Sequence, residues 1–178
     1  MASKAEVGEI TDFALALYKD VVSKPGAGRL VMGGDSAGGG LAAATAMAAR
    51  DAGLPMPDRL VLICPWLDGR PDHPDQPAIE RRDPILTIRG IREAAEMYAG
   101  AAGVNDPRVS PIHGDWSSLP PILAFGGSDD ILVVDARALK AKLASLDYVE
   151  GAGMIHDWPI FNFPESREAQ ARMAAFVA

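Results

Sequence analysis

The hydrophobic positions of this chain recur with two different periods, and the two patterns alternate along its length. Near the N-terminus, apolar side chains recur every three or four residues, which predicts an amphipathic helix over residues 8–23. The segment 25–28 (Pro-Gly-Ala-Gly) is predicted to end it. Four short apolar runs without that period predict strands at residues 29–32, 59–64, 121–125 and 146–150. The first two are apolar almost throughout, which is typical of strands covered by helices on both faces.

Further helices are predicted between and after these strands, at residues 37–52, 87–100, 132–144 and from about 164 to the end. Gly53 is the expected C-terminal cap of the first of them, and Thr87 the expected N-cap of the second. Residues 65–86 include Pro71, Pro74, Pro77 and Pro84, so no regular structure is expected there. Strands separated by helices favour parallel pairing through right-handed crossovers, so the fold class is α/β, an open sheet with helices on both faces.

Length and composition exclude several classes of protein. The 178 residues contain no internal repeat or linker, so we expect a single domain over residues 1–178. The net charge is −7, and no basic cluster occurs, which argues against nucleic-acid partners and anionic membrane surfaces. The lone cysteine, Cys64, excludes an internal disulfide or a cysteine-based metal site, and is interpreted as a buried packing residue. Residues 1–6 lack an apolar signal core, and the apolar stretch at 41–49 is too short for a bilayer, so a cytoplasmic protein is expected.

The segment after the first strand carries the strongest chemical signal. Gly34, Ser36 and Gly38 have the G-x-S-x-G spacing of a nucleophile elbow, placed where a predicted strand turns into a predicted helix. The tight turn exposes the serine hydroxyl, and it favours residues without side chains two positions before and after the serine. The helix directs its first amides toward developing negative charge, so Ala37 is the expected oxyanion donor. A glycine-rich turn with a capping serine is the alternative.

A serine nucleophile needs a base and an acid that orients it, and on this fold they follow in the order Ser, Asp or Glu, His. His73 lies in the proline-rich segment and His113 precedes the third strand, so both are interpreted as exposed or structural. His156 alone follows the last strand and is the expected base. Asp130 follows the third strand and is the expected acid, although its neighbour Asp129 stays open and Asp130 could instead cap a helix.

Two other aspartates near these segments are given supporting roles. Asp135 is expected to face solvent or a neighbouring loop from within the helix that follows Asp130. Asp35, beside the nucleophile, is expected to organise nearby loops rather than to take part in catalysis.

Several segments together resemble the hormone-sensitive-lipase-like esterases, a branch of the α/β-hydrolases. The similar segments are residues 34–39 (Gly-Asp-Ser-Ala-Gly-Gly), 83–87, 110–112, 119–121, 130–132 with Asp135, and 153–157. They occur in the order found in that family and extend the resemblance over the chain from Val7 onward. The resemblance implies a carboxylic-ester hydrolase for small acyl esters, with nucleophile Ser36, acid Asp130 and base His156, needing no cofactor or metal.

The chain also departs from the family pattern. Family members carry a His-Gly-Gly-type oxyanion segment upstream of the elbow, and no residues before Ser36 match it. We therefore expect an N-terminally incomplete α/β-hydrolase domain, without the first strands and the cap, whose exposed sheet edge could support a homo-oligomer. The alternatives to an esterase are an inactive or association-dependent fragment, a non-catalytic module of the same fold, and acyltransfer or peptidase chemistry on the same triad.

Overall fold

The computed structural model describes residues 5–24, 26 and 28–178, which include a four-stranded parallel sheet in the order β1-β2-β3-β4. The first half contains α1 (Val7–Val22), β1 (Val31–Asp35), α2 (Ser36–Asp51), β2 (Arg59–Ile63), α3 (Gln76–Glu80) and α4 (Ile88–Ala99). The second half contains β3 (Ile122–Gly127), α5 (Val133–Lys142), β4 (Asp147–Gly151) and α6 (Pro164–Val177). The predicted α/β class with a parallel sheet is confirmed. Pro25 and Ala27 of the predicted helix-ending segment lie outside the described residues.

Two hydrophobic cores cover the two faces of the sheet. Alternate residues of β2 point to opposite sides, so that Leu60 and Leu62 pack with α2 and α5, while Val61 packs with α6. All residues of β3 are buried, and it is one of the two inner strands. The prediction that β2 is covered on both faces is therefore confirmed.

The same prediction is wrong for β1. Its residues alternate between exposed and partly buried, and the Val31 side chain is 37% exposed. Among the described residues, β1 pairs only with β2, so its outer edge carries no strand partner. An open apolar groove lies beside it, lined in part by Leu17 and Val21 of α1 and by Leu41 of α2.

The first strand and the proline-rich segment also differ from the sequence expectation. The first strand continues to Asp35, because Gly33 and Gly34 pair in register with Val61 and Leu62 of β2. The proline-rich segment contains α3, with Pro77 in its first turn, where the missing N–H removes no helical hydrogen bond.

The predicted cap at Thr87 is confirmed, because its hydroxyl accepts a hydrogen bond from the Gly90 amide. Within the described part of the chain, no helix is both long and apolar enough to cross a membrane.

Candidate active site

Three predicted site residues follow three different strands at the same edge of the sheet. Ser36 directly follows β1, Asp130 follows β3, and His156 follows β4. Because the strands are parallel, their carboxyl ends lie together, which is where ligand sites of open α/β sheets form. Chain segments far apart in sequence are thereby brought to one place.

The side chains of these three residues form one continuous chain of hydrogen bonds. His156 Nε2 lies 2.9 Å from Ser36 Oγ, and His156 Nδ1 lies 3.0 Å from Asp130 Oδ2. Asp130 is fully buried and His156 is 4% exposed, so water has little access to the bond that joins them. This is the geometry that a serine nucleophile, a general base and an orienting acid require.

Backbone conformation presents the Ser36 hydroxyl. Ser36 has φ +53°, in the left-handed region that non-glycine residues rarely adopt. A Cβ on Gly34 would lie 2.3 Å from the Gly38 carbonyl oxygen, so only glycine fits there. A Cβ on Gly38 would meet Asp35 Oδ1 at 4.0 Å, an ordinary contact. The sequence predicted that residues two positions before and after the serine must lack side chains. The structure requires this at Gly34, whereas no close contact requires glycine at Gly38.

The next two glycines are required by the loop that follows β2. A Cβ on Gly39 would lie 2.9 Å from Pro65 Cβ, and one on Gly40 would lie 2.3 Å from the Trp66 carbonyl oxygen. The Trp66 amide also donates a hydrogen bond of 3.0 Å to the Ser36 carbonyl. The glycine run therefore allows the start of α2 to approach this loop closely.

Asp130 is fixed by bonds from both of its carboxylate oxygens. Oδ2 faces His156, while Oδ1 accepts the Leu132 amide at 2.8 Å. The neighbouring Asp129 instead pairs with Arg82 at 2.9 Å. Of the two aspartates, Asp130 is the one that contacts the histidine, and it also holds the turn into α5.

The loop that carries His156 is tied to the end of β3. The Gly153 amide donates to Ser128 Oγ at 2.7 Å, and the Asp129 amide donates to the Met154 carbonyl at 3.0 Å. After the histidine, Trp158 Nε1 donates to the Gly126 carbonyl at 3.0 Å. These bonds flank His156 on both sides and set the direction of its ring.

Asp135 differs from its expected place, because it is buried rather than facing solvent. Its Oδ2 accepts the amides of Leu67 and Asp68, at 2.7 and 2.9 Å, and so holds the loop after β2. Burial raises the pKa of Asp135 to about 8, against the two amide bonds, which favour the carboxylate. Asp35, expected to organise loops, is exposed and makes no side-chain hydrogen bond to any described residue.

The remaining histidines lie where the sequence interpretation expects them, away from this hydrogen-bond chain. His73 is exposed and accepts the Asp75 amide through Nδ1. His113 is exposed, with its Nε2 3.5 Å from Asp68 Oδ2.

Two residues next to the triad were not assigned a site role from the sequence. Asp157 Oδ2 lies 3.3 Å from His156 Nε2, and Asp157 has a left-handed backbone, with φ +58°. Burial raises the pKa of Asp157 to about 6, although the His156 charge opposes it. Cys64 is buried with φ +43°, and burial together with the Asp130 and Asp157 charges raises the pKa of its thiol far above its usual range. The sequence signals for Asp157 were its adjacency to His156 and its place in the family-like segment 153–157.

Donor atoms of Cys64, His156 and Asp157 lie within 4.8 Å of one another. One cysteine therefore does not by itself exclude a mixed-ligand metal site. Here, however, both ring nitrogens of His156 already have partners, Asp130 on one side and Ser36 on the other. We assign Cys64 and Asp157 to the surroundings of the hydrogen-bond chain that contains His156.

Comparisons with known proteins agree with this geometry. A profile of the alpha/beta hydrolase fold matches residues 4–160. The LipR protein of Mycobacterium tuberculosis is 41% identical over 152 residues, which are 82% of this chain and 49% of that protein. A Streptomyces hygroscopicus protein named acetyl-hydrolase is 38% identical over 156 residues, or 84% of this chain and 52% of its own length. The chain thus spans about half the length of these relatives.

Solved structures give the same result. The crystal structure of an esterase from the bacterial hormone-sensitive lipase family superposes with a TM-score of 0.79 at 33% identity, covering 93% of this chain and 56% of that one. The chain therefore belongs to the α/β-hydrolase family and is a hormone-sensitive-lipase-like member of it.

Proposed function

We propose that this chain carries the catalytic residues of a carboxylic-ester hydrolase for small acyl esters. Ser36 is the nucleophile, His156 the general base, and Asp130 the acid that orients the base. The observation that carries the proposal is the unbroken hydrogen-bond chain from Asp130 through His156 to Ser36. The names of related proteins, acetyl-hydrolase and esterase, support an ester substrate.

The mechanism follows from which ring nitrogen holds the proton. A neutral His156 donates its Nδ1–H to Asp130, so its Nε2 lone pair accepts the Ser36 O–H proton as Ser36 Oγ attacks the ester carbonyl. The carbonyl oxygen becomes an oxyanion, and the Ala37 amide, free at the N-terminus of α2, donates to it. Collapse breaks the C–O bond, and the leaving alcohol takes the proton from His156 Nε2. Water then attacks the acyl-enzyme with the same proton transfers and releases the acid and Ser36.

Hydrolysis of p-nitrophenyl acetate and butyrate by this chain tests the assignment. Ser36→Ala is expected to lower turnover at least about 10⁴-fold, because it removes the attacking atom. Ser23→Ala, an exposed serine at the end of α1, is the matched control and should leave turnover unchanged. Equal turnover by the wild-type and Ser36→Ala chains would contradict the proposal.

A second measurement separates the nucleophile from the reaction it serves. A fluorophosphonate reagent should add covalently to Ser36, and peptide mass spectrometry would locate the adduct. Because acyltransfer and peptidase chemistry use the same triad, the products must also be identified. Release of free acid from esters, with no transfer to added alcohols or amines, supports hydrolysis. An adduct at any other serine would contradict the role of Ser36.

We also propose that two copies can associate through the outer edge of β1. Among the described residues its outer backbone groups have no strand partner, and Leu17 in the groove beside it is 55% exposed, which suits strand addition; antiparallel pairing of two such edges gives a closed twofold dimer. Light scattering should show a concentration-dependent dimer that Val31→Lys weakens. A monomer at every concentration would contradict this proposal. The predicted cytoplasmic location stays a prediction.

A further inference from the structure

Both ring nitrogens of His156 face a carboxylate. Asp130 Oδ2 lies 3.0 Å from Nδ1, and Asp157 Oδ2 lies 3.3 Å from Nε2. The second contact involves the same nitrogen that lies 2.9 Å from Ser36 Oγ. The proposed mechanism uses Asp130 and Ser36 and leaves the role of Asp157 unexplained.

The position of Asp157 is enforced by the chain around it. Its backbone is left-handed, with φ +58° and ψ +22°, and the next residue, Trp158, is anchored to the Gly126 carbonyl. Its second carboxylate oxygen, Oδ1, is buried and has no hydrogen-bond partner among the described residues. Burying a carboxylate oxygen without a hydrogen-bond partner costs free energy. The contact of the other oxygen, Oδ2, with His156 Nε2 is therefore the interaction that can offset this cost.

We propose that Asp157 is a positioning residue that stabilises the imidazolium form of His156 through Nε2 and thereby sets the pH range of the reaction. This inference rests on the proposed function. When His156 is neutral, its Nε2 lone pair accepts the Ser36 proton. Once that proton has moved, Nε2–H has two acceptors in reach, the reacting oxygen and Asp157, so the cation lies between two carboxylates.

The charges around the ring agree with this role. Burial lowers the pKa of His156, but the hydrogen bond and charge of Asp130, followed by the charges of Asp157 and Asp83, outweigh it, so its pKa lies above the usual histidine value. The charge of Asp35 also acts on Asp157. The fifth titratable group, the Cys64 thiol, stays neutral because burial raises its pKa. Within this set, Asp157 is the carboxylate that contacts Nε2.

Asn is the informative replacement. Asp157→Asn keeps the size of the side chain, and asparagine tolerates left-handed backbone better than most residues. Asp157→Gly provides a second variant that adopts the same φ without strain. Asp129→Asn is the matched control, because it also removes one carboxylate close to the triad, but one that pairs with Arg82 rather than His156.

The experiment is an NMR titration of the three histidine rings in this chain, which needs no turnover, together with the pH profile of kcat/KM. In Asp157→Asn we expect the apparent pKa of His156 to fall by about one unit, with the acid limb of kcat/KM moving by the same amount. The plateau kcat should also fall while KM stays unchanged. Asp129→Asn should leave the His156 titration in place.

An unchanged His156 titration in folded Asp157→Asn would overturn the inference, even if the esterase proposal holds. Conversely, a shifted titration in a chain without serine-dependent turnover would support Asp157 and contradict the esterase proposal. Circular dichroism checks the fold of each variant. Unfolding of both Asp157→Asn and Asp157→Gly would show that the carboxylate is needed for the fold, which would also overturn a role confined to the charge of His156.

Discussion

The two sides of the triad are built in different ways. Ser36 follows β1, a half-exposed edge strand, and its hydroxyl is presented by a strained backbone and by glycine contacts within the same segment. Asp130 and His156 follow β3 and β4, and their loops are joined by hydrogen bonds over the buried end of β3. The proposed nucleophile is thus presented by contacts within its own segment and by one bond from the Trp66 amide, whereas the proposed acid and base are placed by contacts between distant segments.

This difference determines what each side tolerates. The position of Ser36 depends on the size and backbone conformation of a few neighbouring residues. Small changes in these residues should therefore reduce activity more than they reduce stability. A pair of loops fixed to a buried strand depends on packing, so changes there reduce stability as well. Substitutions on the two sides should therefore separate activity from the free energy of unfolding.

The largest expected effect is on the acid–base side. Phe125 is fully buried in β3 and makes an edge-on contact with Trp158 at 6.1 Å between ring centroids. Phe125→Ala removes this packing and should lower the free energy of unfolding by about 3–5 kcal/mol. Denaturation by urea measures this change. A loss below about 1 kcal/mol would mean that the β3 side is not the rigid side of the site.

Gly34→Ala tests the nucleophile side. The added Cβ would lie 2.3 Å from the Gly38 carbonyl oxygen, so the elbow must shift. A displacement of about 1 Å in a catalytic group costs on the order of 100-fold, so we expect at least that loss in kcat/KM for p-nitrophenyl acetate.

Gly38→Ala is the matched control for that loss. Its Cβ meets only an ordinary 4.0 Å contact, and alanine favours the helix, so stability should be unchanged or rise by about 0.5–1 kcal/mol. If Gly34→Ala and Gly38→Ala lose the same activity, the close contact between Gly34 and the Gly38 carbonyl is not the cause of the loss.

Asp135 links the two sides, because from α5 it holds the loop that α2 packs against. Asp135→Ala leaves the buried Leu67 amide and the Asp68 amide without their acceptor, which should cost about 2 kcal/mol. Asp135→Asn retains an acceptor oxygen and should cost less. Thermal or urea unfolding compares the three proteins, and an alanine variant as stable as the wild type would mean that the loop is held by other contacts.

The pH dependence of stability sharpens that test. The folded-state pKa of Asp135 is raised to about 8 from an ordinary value of 3.8, so the folded protein binds this proton more tightly than the unfolded chain. Its contribution is therefore fully present below about pH 4 and is lost as the pH rises through 8. In Asp135→Asn, the free energy of unfolding should no longer fall between about pH 4 and pH 8 on account of this group. The smaller contribution of Asp157, whose pKa is about 6, should still stabilise the folded state below about pH 6. An unchanged slope in Asp135→Asn would contradict the assignment.

The elements and the three triad residues could be predicted because their signals are local. Periodicity gave the helices and strands, and the order of Ser36, Asp130 and His156 along alternating elements places them at one edge of a parallel sheet. The structure brings these three side chains together as expected, and their chemical roles are the proposal above.

What could not be predicted depends on contacts between distant segments. The apolar run of β1 by itself predicted a strand covered on both faces, and only the departure from the family pattern pointed to an exposed sheet edge. The inward orientation of Asp135 depends on the loop after β2, and the contact of Asp157 with Nε2 depends on a left-handed residue that the sequence around it does not specify. Pro77 concealed α3, because a proline in the first turn of a helix is compatible with the helix.

The smallest expected effect is at the outer edge of the nucleophile side. Val31 is 37% exposed in a single copy, so at concentrations where the chain is monomeric Val31→Ala should lower the free energy of unfolding by less than about 0.5 kcal/mol. Val61, which is 8% exposed on the neighbouring strand, is the matched control, and Val61→Ala should cost about 2 kcal/mol. Urea unfolding at several protein concentrations measures both. If Val31→Ala costs as much as Val61→Ala, and more at high concentration, the β1 edge is covered in solution by a second copy, because association stabilises the folded state by mass action. If the cost is small at every concentration, the β1 edge is free in solution, and no second copy supports the strand from which Ser36 projects.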